Sequence, residues 1–461
     1  MIDLSFLKDR AIAVMGLGKS GLPTAQALAA AGARVLAWDD GAKAREEAES
    51  AGLPLTNLHE ADLTGIRTLV LSPGIPHLHP KPNPVAARAR AAGIEIIGDI
   101  ELLLRAQPNA RTVGITGTNG KSTTTTLIAH ILKGAGLAVE VGGNLGQPVL
   151  TFAPFGHDGV YVIEMSSYAL ERTPSAAFDA AILLNITPDH LDRHGGMDGY
   201  IAAKRNIFQN QRPDQAAVIA IDDEHTRRIH DELAAGGGRR VVPISAGHKV
   251  AGGVFVTGGM LVDDTDGTGA IELDLSTVKT LPGIHNAQNA AAAYTAARAL
   301  GVAPTEIIRH IRTFPGLAHR QQLVAEIGGV RYVNDSKATN ADATEKALVC
   351  YDAIYWILGG QAKETGLAGL ERYASRVRHA FLIGEATERF APWLDANNVP
   401  HTRCGDLARA VPAAHALARR EAVKGAAVLL SPACASWDQY ANFEKRGEHF
   451  ADLVTSLEAA P

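Results

Sequence analysis

Val113-Gly114-Ile115-Thr116-Gly117-Thr118-Asn119-Gly120-Lys121-Ser122 is the stretch from which the fold can be read. An apolar run of β type enters a glycine-rich turn. A lysine, a hydroxyl and a helix-like segment from Thr123 to Gly134 follow. Glycines let backbone amides turn inward onto phosphate oxygens, and the helix behind them offers its positive N-terminal end. The lysine reaches the outer phosphates and the serine hydroxyl suits magnesium. The loop is a shortened variant, Gly117-x-x-Gly120-Lys121-Ser122, because Ile115 stands where the usual first glycine would be. A bare strand-to-helix turn does not need Gly, Gly, Lys and Ser together. The stretch therefore implies nucleotide phosphate binding on an α/β sheet.

The chain around it has 461 residues, long enough for about three domains of ordinary size. Its apolar and charged fractions are those of a globular protein. A net charge of -5 gives no general reason to expect nucleic-acid binding. Cys350, Cys404 and Cys434 are too few and scattered for a disulfide framework, which points to a reducing compartment. The first residues carry an acid and no basic leader, and no apolar run is long enough to span a bilayer. A cytoplasmic protein without membrane insertion is expected, taken as a monomer.

Upstream, Ala11 to Met15 runs into Gly16-Leu17-Gly18-Lys19-Ser20-Gly21, an Ala-rich helical pattern, and a second strand ending in Asp39-Asp40. This is a βαβ unit with the dinucleotide fingerprint. NAD, another diphosphate ligand such as a UDP-sugar, and a ligand-free tight turn all satisfy it. Ser72-Pro73-Gly74 follows another strand and would lie on the same sheet edge, or be a plain Pro-Gly turn. The first boundary falls near Gly98.

Downstream, Val160 to Ile163 is an apolar strand ending in Glu164, a candidate magnesium ligand if it is not merely a solvated acid. Asn144 lies in a Gly-rich turn, either against a ligand or as a structural residue. His190 follows the strand Ala181 to Leu184 in a polar loop. An imidazole there could hold a second metal or be structural. Lys204, taken alone, reads as a surface lysine on a helix. Residues 231–270 look peripheral. Asn289 sits one turn after His285 at the start of a long Ala-rich helix, so both could face one ligand or simply cap an exposed turn. The second boundary falls near Pro315. Beyond it strands and helices alternate again, and the polar loops follow the strands. The expected fold is thus α/β in three domains. Residues 1–98 form a Rossmann-like domain, 99–315 a P-loop ATPase-type domain with a mostly parallel sheet, and 316–461 a second Rossmann-like α/β domain.

The motifs GITGTNGKSTTTT, EMSSYALERT, LNITPDHLDRH with downstream AAKRNIF, GIHNAQN, LAHRQQLV, VNDSKATN, ILGGQAK and LLSPACASWDQYANFEKRG occur in this order. Together the chain resembles the Mur ligase family, and most closely its D-glutamate-adding branch. The resemblance implies that ATP phosphorylates the terminal carboxylate of UDP-N-acetylmuramoyl-L-alanine. The amine of D-glutamate then attacks the acyl phosphate, and a tetrahedral intermediate collapses to amide and phosphate. It also implies two magnesium sites and a carbamylated Lys204 that supplies anionic oxygens to metal.

By the same resemblance, Thr118, Asn119, Gly120, Lys121, Ser122, Thr123 and Thr124 hold the ATP phosphates. Ser122, Glu164, His190 and Lys204 hold metal. Asn289, Arg320 and Asp335 contact the adenine, phosphates and ribose of ATP, and Lys337 lies near the acyl phosphate. Lys121, Glu164, His190, Lys204 and Lys337 form the catalytic set. Thr339, Lys363, Ser436 and Phe443 match the D-glutamate pocket, and Asn144 a muramoyl contact. Gly16, Leu17, Asp39, Ser72, Pro73 and Gly74 then serve UDP rather than NAD. The chain departs from the family where Asp40-Gly41 follows Asp39, since a Thr-Arg pair is usual and its arginine would meet the uracil. A folylpolyglutamate synthase shares the chemistry but lacks the first-domain fingerprint. An NAD-dependent oxidoreductase is the rival from another class.

Overall fold

The computed structural model describes residues 1–362 and 366–458, so Lys363 lies outside the described residues. The chain divides into two compact units. One comprises Met1–Thr277 and Ile284–Thr313, the other Val278–Gly283 and the chain from Phe314 onward.

The first unit carries two sheets. Strands β1 (Ala11–Met15), β2 (Arg34–Trp38), β3 (Thr68–Leu71) and β4 (Glu95–Ile97) pair in parallel in the order β2-β1-β3-β4. The order reverses between β1 and β3, so their carboxyl ends flank a crevice of the kind that takes ligands in open α/β sheets.

The second sheet contains β5 (Arg111–Thr116), β6 (Ala138–Gly143), β7 (Gly159–Glu164), β8 (Ala180–Leu183), β9 (Ala216–Ala220), β10 (Arg240–Ser245), β11 (Val254–Thr257), β12 (Met260–Asp263) and β13 (Ala270–Asp274). Their order is β13-β12-β11-β10-β9-β8-β5-β7-β6. All neighbouring pairs are parallel except β11–β12 and β12–β13, so β12 alone runs against the rest near the edge. Residues 231–270 are therefore not peripheral. They supply three strands of the central sheet, and their Gly- and Asp-rich turns mask short apolar runs such as Val254-Phe255-Val256. Here β5 lies between β7 and β8. Residues following these three strands consequently meet at one sheet edge.

Sequence explains the depth of this sheet. Strands covered on both faces read as continuous apolar runs, and every residue of β7 and β8 is buried. Burying one large aliphatic side chain is worth roughly 1.5–3 kcal/mol, so Val160, Ile163, Ile182 and Leu183 fix the frame that carries the site. The helices Lys121–Gly134 and Ile284–Ala299 pack on each other above it.

The second unit holds β14 (Gln322–Ile327), β15 (Val330–Asn334), β16 (Ile354–Gly359), a short β17 (Gln361–Ala362), β18 (Val377–Ile383), β19 (His401–Gly405), β20 (Ala427–Leu430) and a short β21 (Cys434–Ala435). The main sheet runs β14-β15-β20-β16-β18-β19, parallel except for β14, and β17 pairs with β21. No helix among the described residues is long and apolar enough to cross a membrane.

Candidate active site

The loop after β5 is built around its glycines. Gly120 closes it in the left-handed region at φ +86°, and a Cβ there would come within 2.4 Å of Asn289 Oδ1. Only glycine fits both constraints. Lys121 curls back over its own loop, donating from Nζ to Gly117 O at 2.8 Å and Thr118 O at 2.7 Å. Ser122 and Thr123 occupy the first turn of the helix, nearly buried, where backbone amides lack partners within the helix. Thr124 is fully buried and donates to Asn289 Oδ1 at 3.1 Å. Asn289 in turn donates to Asn286, so its buried side chain braces the loop from behind.

A residue with no role assigned from sequence sets the loop's shape. Asn185, one position past Leu184 beyond β8, accepts from Thr118 N through its carbonyl at 2.9 Å. Its side chain accepts from Asn119 N at 2.8 Å and donates to Asn119 O at 3.1 Å. Thr118 Oγ1 accepts from Thr187 N at 3.0 Å and lies 3.1 Å from Tyr200 Oη.

Beside the loop lie a buried acid and a buried base. Glu164 ends β7 with about 1% of its surface exposed. Asn144 Nδ2 donates to its Oε1 at 2.8 Å, while Oε2 is enclosed with no hydrogen-bond partner among the described residues. An orphaned buried carboxylate oxygen costs free energy, and a divalent cation would satisfy it. Magnesium characteristically takes one or two carboxylates and completes its shell with phosphate and water oxygens. The donors at this edge, the Glu164 carboxylate and the Ser122 hydroxyl, fit that habit. Among the described residues no three His, Cys, Asp or Glu side chains gather at metal spacing.

Lys204 is 2% exposed, not the surface lysine its helix suggests. Nζ donates to Gly117 O at 2.8 Å and lies 4.7 Å from the centre of the Tyr200 ring. Burial drives its pKa well below the ordinary lysine range. Repulsion from Lys121 adds to this, and Asp189 and Glu164 oppose it. A lysine so placed keeps a larger share of neutral, nucleophilic amine. His190 follows in the left-handed region at φ +52°, half exposed, 3.5 Å from Asp189 and with its ring 5.3 Å from that of Tyr168.

The crevice of the first sheet collects the remaining first-unit residues. Gly16, at φ +92°, lies so close to Ser72 that a Cβ would stand 2.7 Å from its side chain. Ser72 Oγ donates to Gly16 O at 3.0 Å, and Asp39 accepts from Leu17 N at 2.6 Å. Gly16, Asp39, Ser72, Pro73 and Gly74 line a cavity of about 380 Å³. Asp39 and Asp40 also receive Arg45 through their carbonyls, and that guanidinium lies over the Trp38 ring. Arg172, fully buried, clamps the loop after β3 by donating to Ser72 O at 2.7 Å and Ile75 O at 2.6 Å. Burial lowers its pKa to about 10. His77 beside it falls to about 4, through burial first and Arg172 second.

The second unit gathers its own set. Asp335 ends the β15 turn fully enclosed, accepting from Ser431 Oγ at 2.7 Å and Gln321 N at 3.1 Å. Burial lifts its pKa to about 7, against those hydrogen bonds and the charge of Arg320. Arg320 itself lies in a tight turn between His319 and Gln321, both at positive φ. Lys337 Nζ lies 5.5 Å from the Phe443 ring centre. Thr339, Ser436 and Phe443 line a cavity of about 480 Å³ with Gln361, Ala362 and Trp437. Its organiser is Arg446, again without a role from sequence. Buried, it donates to Ser336 Oγ at 3.0 Å, Ser336 O at 2.8 Å and Cys434 O at 3.0 Å.

Known proteins share this plan. Residues 10–98 match the model of the Mur ligase MurD-like N-terminal domain, and 115–297 that of the Mur ligase middle domain. A UDP-N-acetylmuramoylalanine--D-glutamate ligase of Paramagnetospirillum magneticum is 55% identical over 99% of both chains. The protein of the same name from Rhodospirillum rubrum is 53% identical over 99% of this chain and 97% of its own. In fold the chain is similar to UDP-N-acetylmuramate-alanine ligase from Thermotoga maritima. That TM-score is 0.58 at 17% identity, covering 97% of this chain and 99% of the other. The chain belongs to the Mur ligase family, among the UDP-N-acetylmuramoylalanine--D-glutamate ligases.

Proposed function

We propose that the chain joins D-glutamate to UDP-N-acetylmuramoyl-L-alanine at the expense of ATP, in cytoplasmic synthesis of peptidoglycan precursors. Three functional modules carry this out, residues 1–98 for the nucleotide sugar, 99–315 for ATP and 316–461 for the amino acid. The observation that carries the reading is the meeting of a phosphate loop, an orphaned buried carboxylate oxygen and a buried lysine at one sheet edge.

A carboxylate is a poor electrophile and must be given a leaving group. Its oxygen attacks the terminal phosphorus of ATP, forming a C–O–P linkage and releasing ADP. The D-glutamate amine adds to the acyl carbon, loses a proton, and the C–O bond to phosphate breaks. Every reactant is anionic, so cations must stabilise charge as it moves. Lys121 serves the outer phosphates from the loop, and Lys337 the acyl phosphate. Magnesium, when bound, neutralises phosphate charge and holds the oxygens in line. Ser122 and Glu164 would hold one ion, and His190 a second.

Lys204 becomes an anionic ligand by adding carbon dioxide. The Nζ–C bond forms and one proton leaves, and the lowered pKa favours the neutral amine this needs. Thr118, Asn119, Gly120, Thr123 and Thr124 shape the phosphate cradle, and Asn289 braces it, while Arg320 and Asp335 take the rest of the nucleotide. Asn144 meets the muramoyl arm, and Thr339, Ser436 and Phe443 the glutamate, with Lys363 facing a carboxylate.

The test is phosphate release with each reactant omitted in turn. Release only when ATP, UDP-N-acetylmuramoyl-L-alanine and D-glutamate are all present supports the proposal. Equal release without the amino acid would refute it.

A further inference from the structure

A cleft of about 640 Å³ opens at the amino edge of the central sheet. Four neighbouring strands supply one wall. Arg111 opens β5, Asp179 and Gln215 stand directly before β8 and β9, and His157 stands two residues before β7. The end of the helix Asp99–Ala106 and the turn after it supply the other. The phosphate loop and Glu164 belong to the opposite ends of β5 and β7. The six residues of β5 hold the two edges about 20 Å apart, so this cleft is no part of the site described above.

Its charges are unevenly answered. Arg105 is held by Glu101 at 2.7 Å and by Glu95. Arg212 faces Asp214 at 3.3 Å and Asp179 at 3.7 Å. Asp179, the one acid in the lining, also accepts from Thr112 N at 2.8 Å and Gln215 Nε2 at 3.2 Å. Arg111 differs from both other arginines. Among the described residues it makes no side-chain hydrogen bond and no ion pair, and its Nε is enclosed. A half-buried guanidinium without a partner costs free energy, and an anion in the cleft would remove that cost.

We propose that this cleft binds a phosphate monoester with a small hydroxylated body, a sugar phosphate in chemical class, with its phosphate on Arg111. The planar guanidinium fork matches phosphate oxygens in pairs. The volume lies within the roughly 300–1,000 Å³ of small-molecule sites, far more than a bare phosphate fills. Gln107 accepts from Tyr161 Oη at 3.4 Å, which leaves its amide nitrogen to donate, and Asn109 is exposed in the same turn. Both suit hydroxyls. No Phe, Tyr or Trp is among the lining residues, so nothing there offers a face on which a nucleobase would stack. The site stands independently of the ligase reading.

Calorimetric titration of the full-length protein with glucose 6-phosphate tests this, with the ATP and UDP seats first filled by a non-hydrolysable ATP analogue, magnesium and UDP. Wild type should bind one equivalent, at least tenfold tighter than inorganic phosphate and with no measurable affinity for glucose. Arg111→Met should lose at least tenfold, the scale of a charge-assisted pair, and keep its ligase turnover within about twofold. Arg111→Lys, with the charge but not the fork, should fall between the two. Asn109→Asp, at an exposed position where folding is not at stake, sets an acid beside Arg111 and should weaken binding as Arg111→Met does. It decides the matter if Arg111→Met does not fold. No binding by wild type overturns the proposal, as does equal binding by wild type and Asn109→Asp. Inorganic phosphate bound as tightly as glucose 6-phosphate overturns the assigned class.

Discussion

Lys204 and Asp335 are ionisable groups held inside a protein, and each makes a measurable demand. Lys204 sits in a buried seat against Gly117 O. If it works as a carbamate, Lys204→Ala should lose at least about a hundredfold in turnover, the scale of removing a charged group from a catalytic site. Short carboxylates should restore part of the loss. Wild-type turnover in that variant would show that the lysine is structural. Asp335 has a pKa raised by burial to about 7. Its folded state holds a proton that the unfolded chain releases near pH 4, so its contribution to stability is complete below about pH 4 and fades as pH rises through about 7. Asp335→Asn should therefore gain in melting temperature relative to wild type between pH 5 and pH 8. A constant difference across that range would contradict the assignment. Gly120 allows no such latitude. Alanine there meets Asn289 at 2.4 Å in a left-handed backbone, and Gly120→Ala should abolish ATP binding in a direct titration.

At the level of elements, the design is a parallel strand flanked by two others whose following residues converge. β5 gives the loop, β7 the acid and, one residue past Leu184 beyond β8, Asn185 follows. Asn185→Ala removes two side-chain hydrogen bonds to the loop. At roughly 0.5–1.5 kcal/mol each, it should raise the KM for ATP about tenfold and leave that for D-glutamate unchanged. A KM for ATP like wild type would mean the loop holds its shape alone. Arg446→Met leaves four acceptors around the second-unit cavity without their donor, the Ser336 hydroxyl and the carbonyls of Ser336, Cys434 and Ala435. It should lower the melting temperature and raise the KM for D-glutamate, which steady-state kinetics would reveal.

What was legible in the sequence follows from the same geometry. The phosphate loop and Glu164 could be read because strand, turn and side chain are neighbours along the chain. Asn185, Arg172 and Arg446 could not, because their partners lie 66, about 100 and 110 positions away and leave no local pattern. Lys204 failed as a surface reading for a related reason. Only the fold reveals that this turn of helix is pressed against the loop. Residues 231–270 misled because turn-forming glycines and aspartates outnumber the few apolar residues that make each short edge strand.

For the whole molecule, one idea joins the parts. A carboxylate is made reactive by taking a phosphoryl group, and the resulting acyl phosphate, a mixed anhydride, is captured by an amine. The first unit holds the crevice and the phosphate loop, and the second its own polar cavity. The most direct test labels both oxygens of the L-alanyl carboxylate of the nucleotide sugar with ¹⁸O and follows the label through turnover with ATP and D-glutamate. Activation through an acyl phosphate requires one labelled oxygen in each phosphate released and one in each amide formed. Unlabelled phosphate formed alongside the amide would contradict it.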